Sequence, residues 1–165
     1  MGFRKRLFAW MLKKGESVNR KLYGPYKQTL FHDLKGTVVE IGPGTGINFN
    51  YLPSGINWIG IEPNKAFHEV LLSQAKENGI QATLLAGHAG YIPMADNIAN
   101  GVICTLVLCT VKDPAAAILE MKRILKPGGK LVFIEHVAAP KKTFLRLVQD
   151  SLNRLNRLVA DGCNC

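Results

Sequence analysis

The sequence predicts an α/β fold, a doubly wound and mostly parallel sheet of about five strands covered by helices on both faces. Three observations predict it. From Thr37 onward short β-favouring runs alternate with helical periods. The first run, Val38-Val39-Glu40-Ile41, passes directly into the glycine-rich turn Gly42-Pro43-Gly44-Thr45-Gly46. The helices between the runs carry recognisable caps and stops. In such a fold, ligands bind at the carboxyl ends of the strands, near the switch in strand order, and the glycine turn closes the first strand there.

Taken in order, Gly2 to Lys14 reads as a short basic amphipathic helix, with Phe3, Leu7, Trp10 and Met11 at helical spacing among Arg4, Lys5, Arg6, Lys13 and Lys14. Its apolar run is too short for a bilayer, which takes about 20 residues. It also lacks the apolar centre and cleavage site of a secretory signal. Two readings stand: a helix lying on a membrane surface, and a lid packed on the domain's own core. Gly15 is expected to break it, and Ser17 to Phe31 to form a second helix interrupted at Gly24-Pro25. Tyr23 and Tyr26 either pack or line a ligand site. Residues 1–35 thus form a basic helical segment ahead of a domain over 36–165.

Within the domain, strand one is Thr37 to Ile41, followed by a short helix ending near Leu52-Pro53. Strand two is Trp58 to Glu62. Asn64 caps a helix whose buried stripe is Phe67, Val70, Leu71 and Ala75 and whose stop is Asn78-Gly79. Strand three is Ala82 to Ala86 and strand four Gly101 to Leu108. Asp113 caps the next helix with Pro114 at its first position, where the missing N–H costs nothing. That helix buries Ile118, Met121 and Leu125 and ends at Pro127-Gly128-Gly129. Strand five is Lys130 to His136, and Phe144 to Val159 gives a last amphipathic helix.

Composition bounds the function. The 165 residues suffice for about one core, and a mean hydropathy of +0.07 describes a globular chain. The net charge of +9 is not spread evenly: Met1 to Lys35 holds nine Lys/Arg against two acids, and Lys141 to Cys165 five against two, around a nearly neutral middle. Basic ends without a reading motif argue against nucleic acid and fit an anionic membrane surface, an acidic partner, or plain solvated faces. Cys104 and Cys109 read as small core residues of a reducing compartment, and the terminal Cys163 and Cys165 have no second pair at zinc spacing, so no metal is expected. The expected location is cytoplasmic, peripheral on a membrane.

The glycine spacing departs from G-x-G-x-x-G, the dinucleotide pattern. Glu40, just before the turn, is a poor neighbour for a pyrophosphate and a good one for a cationic ligand. Glu62, ending strand two, is placed to accept hydrogen bonds from two ribose hydroxyls. These residues carry a resemblance. Glu40 to Gly46, Ile61-Glu62-Pro63-Asn64 and Leu125-Lys126-Pro127-Gly128-Gly129 resemble successive motifs of the class I S-adenosylmethionine-dependent methyltransferases, of Rossmann-like fold. Cys104 to Cys109, Glu135-His136-Val137-Ala138 and Asp161-Gly162-Cys163-Asn164 resemble the small group that includes membrane-associated alkyl thiol methyltransferases. Quinone-biosynthesis C-methyltransferases are more distant.

The resemblance implies S-adenosylmethionine as cofactor and a small lipophilic methyl acceptor, a thiol before a quinone. It implies that Glu40 and the backbone of Gly42, Gly44 and Gly46 hold the methionine moiety, with Glu62, Pro63 and Asn64 at the ribose. His88 stands where the family has an acid on the adenine amino group, leaving the Ala89 N–H for the ring. Thr105 and Leu106 border cofactor and acceptor. His136 is a candidate base or acceptor-positioning group, or simply a hydrogen-bonded strand end, and Glu135 beside it has the same two readings. Family members continue into two further strands, which this chain lacks. The implied sheet is therefore shortened, with an edge at strand five open to pairing, a homodimer included. A second reading follows: a truncated or degenerate module that binds the cofactor or a membrane without transferring methyl.

Overall fold

The computed structural model describes residues 3–135, 137–140, 142–144, 146 and 149, with side chains from residue 17. The first element is α1 (Phe3–Phe31), one continuous helix where a break at Gly15 and an interruption at Gly24-Pro25 were expected. Pro25 removes one helical N–H, a defect of about 3 kcal/mol in an isolated helix. Here Gly24, Lys27 and Phe31 are all buried, and this docked side holds the helix through the proline. Gly24 is the close-approach point, since a Cβ there would stand 3.0 Å from the Tyr51 hydroxyl.

The strands are β1 (Thr37–Ile41), β2 (Asn57–Ile61), β3 (Gln81–Leu85), β4 (Ala99–Thr105) and β5 (Leu125–Ile134), in the order β3-β2-β1-β4-β5. Every pairing is parallel. Chain order therefore reverses between β1 and β4, and the glycine turn leaves β1 at that point. Alternation along β1 divides the core: Val38 joins Phe31, Leu34, Phe49, Trp58 and Leu71 on one face, and Val39 and Ile41 join Ile61, Cys104, Met121 and Ile124 on the other. Phe49 and Trp58 pack with ring centroids 4.7 Å apart. Lys130 of β5 reaches the Leu30 carbonyl (3.0 Å) and Asp33 (2.6 Å), tying the end of α1 to the sheet.

The helices differ from expectation in detail. Asn64 is a cap as predicted, its Oδ1 accepting from the Ala66 N–H at 3.0 Å, but it caps a 3-10 turn over Lys65–Phe67. The helix α2 (His68–Glu77) follows, burying Leu71 and Ala75 while Val70 stays exposed. Asp113 and Pro114 open α3 (Pro114–Ile124) as predicted. Its buried stripe is Ala117, Met121 and Ile124, an i, i+4, i+7 set, so Ile118 faces out. Leu125 already belongs to β5, which begins where α3 ends. Pro127-Gly128-Gly129 thus lies inside β5, where Ala99 pairs with Leu125 and Gly101 with Lys130, a bulge that absorbs the extra residues. Strand four stops at Thr105 because Leu106 takes φ +58°, after which a 3-10 turn spans Leu108–Thr110. The expected helix from Phe144 to Val159 lies for the most part outside the described residues.

Candidate cofactor site

The turn after β1 is folded by its own backbone: the Gly42 N–H donates to the Ile61 carbonyl and the Gly46 N–H to the Pro43 carbonyl, both at 3.0 Å. Gly42, Gly44 and Gly46 all have positive φ. Two of them are glycine for different reasons. A Cβ on Gly46 would lie 2.8 Å from the Phe49 ring, so that position serves packing. A Cβ on Gly44 would meet nothing within 4 Å, so that position keeps one side of the turn open to a ligand.

Glu62 follows β2 and is 5% exposed. Its carboxylate accepts from the Gly44 N–H (3.2 Å) and the Asn64 N–H (2.8 Å), which aim it across the turn. One backbone donor per oxygen leaves each oxygen a further lone pair for a ligand hydroxyl. The ring of His68 reaches the Glu62 carbonyl with Nε2 at 2.9 Å and steadies the same corner. Sequence reading missed His68. Its only signal was its spacing six residues after the acid.

Beside this corner opens a cleft of about 830 Å³. Gly42, Glu62, Pro63, Asn64, His88, Ala89 and Leu106 of the expected set line it, opposite Thr110 to Asp113 and Ala116. His88 is exposed at the rim. Ala89 is buried, and no described group accepts a hydrogen bond from its backbone N–H. Gly44, Gly46, Glu40 and Thr105 flank the cleft without lining it. His136 lies outside the described residues.

Glu40 is 1% exposed and points beneath the turn. Asn48 Nδ2 donates to its Oε1 at 2.7 Å and Trp58 Nε1 to its Oε2 at 2.9 Å. Burial pushes the Glu40 carboxyl up, against the pull of these two donors and of the Lys27 ammonium. Asn48 also donates to Thr105 Oγ1 at 3.0 Å, joining the ends of β1 and β4 across the switch point. Its own Oδ1 is buried with no donor among the described residues. Asn48 was not foreseen, since asparagine two residues past a glycine turn reads as an ordinary polar loop residue.

On the far side, Glu135 Oε1 accepts from the Val107 and Leu108 N–H groups at 2.9 and 3.0 Å and fixes the bend that Leu106 begins. Burial first, then the Glu135 charge, push the neighbouring Cys104 thiol well above the usual range, so it is an inert core group as expected. Glu135 thus has a structural partner that the sequence left open.

Comparison with known proteins agrees with this geometry. Residues 39–133 match the methyltransferase domain family. The chain belongs to the S-adenosylmethionine-dependent methyltransferases. Among its relatives is the thiol S-methyltransferase TMT1B of Rattus norvegicus, 36% identical over 166 residues that cover 96% of this chain and 66% of the relative. The thiol S-methyltransferase TMT1A of Homo sapiens is 33% identical, with coverage of 97% and 70%. This methyltransferase therefore spans about two thirds of the length of those relatives. Among solved structures, the Bacillus subtilis YcgJ protein superposes with a TM-score of 0.65 at 26% identity, over 82% of this chain and 57% of that one. An S-adenosylmethionine-dependent methyltransferase of Thermotoga maritima gives 0.65 at 27% identity, over 90% and 66%.

The residues present fit S-adenosylmethionine. An open-sided turn, a carboxylate with lone pairs to spare and an N–H at Ala89 without a partner among the described residues provide donors and acceptors of the kinds that adenine and ribose require.

Proposed function

We propose that this methyltransferase acts on a small lipophilic thiol, converting it to the methyl thioether, at a membrane surface. The observation that carries the acceptor class is the similarity, over nearly the whole chain, to proteins named thiol S-methyltransferases. The same similarity supports turnover over a module that only binds.

Bound S-adenosylmethionine supplies a methyl already activated on a sulfonium, and in-line attack by a thiolate leaves a thioether and neutral S-adenosylhomocysteine. The protein's task is alignment and exclusion of water. Glu62 would hold the ribose, the backbone of Gly42 would bound the methionine end, and the Ala89 N–H would serve the adenine ring. Apolar walls at Leu106, Val107 and Val111 suit a lipophilic acceptor. The thiol gives up its proton before or as the sulfur attacks, and the thiolate is the form that accepts the methyl.

Membrane contact is supported by α1, where Val18, Leu22 and Tyr26 form an i, i+4, i+8 stripe that is 55%, 57% and 65% exposed beside the exposed Arg20 and Lys21. No described helix is long and apolar enough to cross a membrane. The contact is proposed as peripheral, on a cytoplasmic face. Pairing of two chains along β5, an edge of the sheet among the described residues with Phe133 60% exposed, is a further part of the proposal, and a strictly monomeric mass by light scattering at high concentration contradicts it.

The acceptor test is methyl transfer from labelled cofactor to a panel of alkyl thiols, with quinols and amines for comparison. Labelled thioether from the thiols is expected. Product from quinols alone would overturn the acceptor class, and no product from any acceptor would overturn turnover.

A further inference from the structure

Glu120 and Arg123, in the last turns of α3, join the two walls of the cleft from outside it. Arg123 donates from Nε to Glu120 Oε1 at 2.8 Å and from Nη2 to Glu120 Oε2 at 2.9 Å. The same guanidinium donates from Nη2 to the Ile92 carbonyl at 2.9 Å, and from Nη1 to the Met94 carbonyl at 2.8 Å and to Asp96 at 2.7 Å. Glu120 Oε2 in turn accepts from the Ile92 N–H at 3.0 Å. One side-chain pair therefore holds the backbone of the segment after β3 at three atoms and anchors it to α3.

That segment begins with the cleft wall. His88, Ala89 and Gly90 line the cleft, and two backbone bonds between His88 and Tyr91, at 3.2 and 2.9 Å, close the bend that presents Ala89. The opposite wall includes Asp113 and Ala116 at the start of α3. Neither Glu120 nor Arg123 lines the cleft. The hydrogen bonds from Arg123 and from the Ile92 N–H hold the Glu120 carboxyl down at about 2, so the pair stays ionised at any ordinary pH.

The chemistry of the base gives the clamp something to control. The Ala89 N–H belongs to a buried residue of the cleft wall and has no partner among the described residues. Adenine offers an acceptor at N1 to such a donor, whereas hypoxanthine carries a hydrogen there, and two donors facing each other repel. Discrimination between the bases thus depends on where the Ala89 backbone is held. We propose that the Glu120–Arg123 clamp sets the selectivity of the cleft for adenine by fixing the wall that carries Ala89, with both side chains acting as positioning residues that never touch the cofactor. The inference rests on the cleft being the S-adenosylmethionine site.

The test is calorimetric titration of wild type and Arg123→Lys with S-adenosylhomocysteine and with S-inosylhomocysteine, in the cold where both proteins are folded. Lysine keeps the charge and loses the fork. Wild type is expected to prefer the adenine ligand by about tenfold or more, and Arg123→Lys by about threefold or less, through selective loss of S-adenosylhomocysteine affinity. A merely structural role predicts something else. A population of misfolded molecules weakens both ligands by one factor and leaves the preference intact, and that outcome overturns the proposal. Should Arg123→Lys not fold, Glu120→Gln is used in the same comparison, since it removes the acceptor of the Ile92 N–H and leaves one for Arg123. Wild type that binds both ligands equally overturns the clamp alone. Wild type that binds neither overturns the reading of the cleft itself.

Discussion

Glu62 and the turn glycines show how much a single residue carries. Each Glu62 oxygen already holds one backbone donor, so the carboxylate is oriented before any ligand arrives. Glu62→Gln keeps the size but turns one acceptor into a donor aimed at a backbone N–H and a hydroxyl. It is expected to weaken S-adenosylhomocysteine by about 1–3 kcal/mol in a calorimetric titration. Unchanged affinity would remove Glu62 from the ribose. The glycines separate in a second experiment. Gly46→Ala combines φ +83° with a contact 2.8 Å from the Phe49 ring, and is expected to cost about 2–4 kcal/mol of stability in urea denaturation. Gly44→Ala meets no atom and is expected to cost about 1–2 kcal/mol, from its φ alone. Equal losses at the two positions would contradict the division. Spacing alone marked both glycines as a ligand turn, and only the packing of Phe49 and Leu71 distinguishes them.

At the scale of elements, α1 packs a buried lysine against Tyr51, in the turn that follows the glycines. Lys27 is 1% exposed, donates to Asn19 at 2.6 Å, and stands 5.7 Å from the centre of the Tyr51 ring. Burial lowers its pKa to about 8, and the Glu40 charge only partly opposes this. In the unfolded chain it titrates near 10.4. Between about 8 and 10.4 the unfolded state therefore binds more protons than the folded state, and stability rises with pH across that window, while below about 8 both states are protonated and the contribution is flat. Measured against Lys27→Met, wild type is expected to hold a constant stability difference from pH 6 to 8 and to gain on the variant from pH 8 to 10. A constant difference across the whole range would mean that the ammonium is not desolvated. The sequence placed a helix over this region but broke it at Gly15 and Gly24-Pro25, because local propensity knows nothing of the docked side that carries Lys27 and Phe31. The stripe of α3 failed for a related reason: Ile118 outranks Ala117 in size, yet the sheet takes the row that faces it, and Leu125 already belongs to β5. Four of the five strands were legible to within three residues because alternation and glycine stops are local signals, whereas β5 starts five residues before the expected Lys130 because Pro127-Gly128-Gly129 reads as a helix stop.

For the whole molecule, the parallel doubly wound architecture and the glycine turn at the end of its first strand were readable from the alternation of elements, whereas the order β3-β2-β1-β4-β5 and the roles of Asn48, His68 and Arg123 were not, since each depends on contacts made only by the finished fold. Charge distribution was readable as well, and it leads to the remaining prediction. The excess of Lys and Arg sits at the two ends, and the described part of α1 presents Val18, Leu22 and Tyr26 outward beside Arg20 and Lys21. Two attractions then act on an anionic bilayer, and they differ in their response to salt. The Coulombic part is screened over about 8 Å at physiological ionic strength and shrinks further as salt is added, while insertion of apolar side chains does not. Co-sedimentation with phosphatidylserine-containing vesicles is expected to fall several-fold between low and physiological salt and to level off above zero. Leu22→Ser with Tyr26→Ser is expected to remove most of the residual, salt-resistant binding and to leave the salt-dependent part in place. Binding that vanishes with salt in wild type would reduce the contact to charge alone, and binding that the double variant leaves untouched would place the membrane surface away from this face of α1.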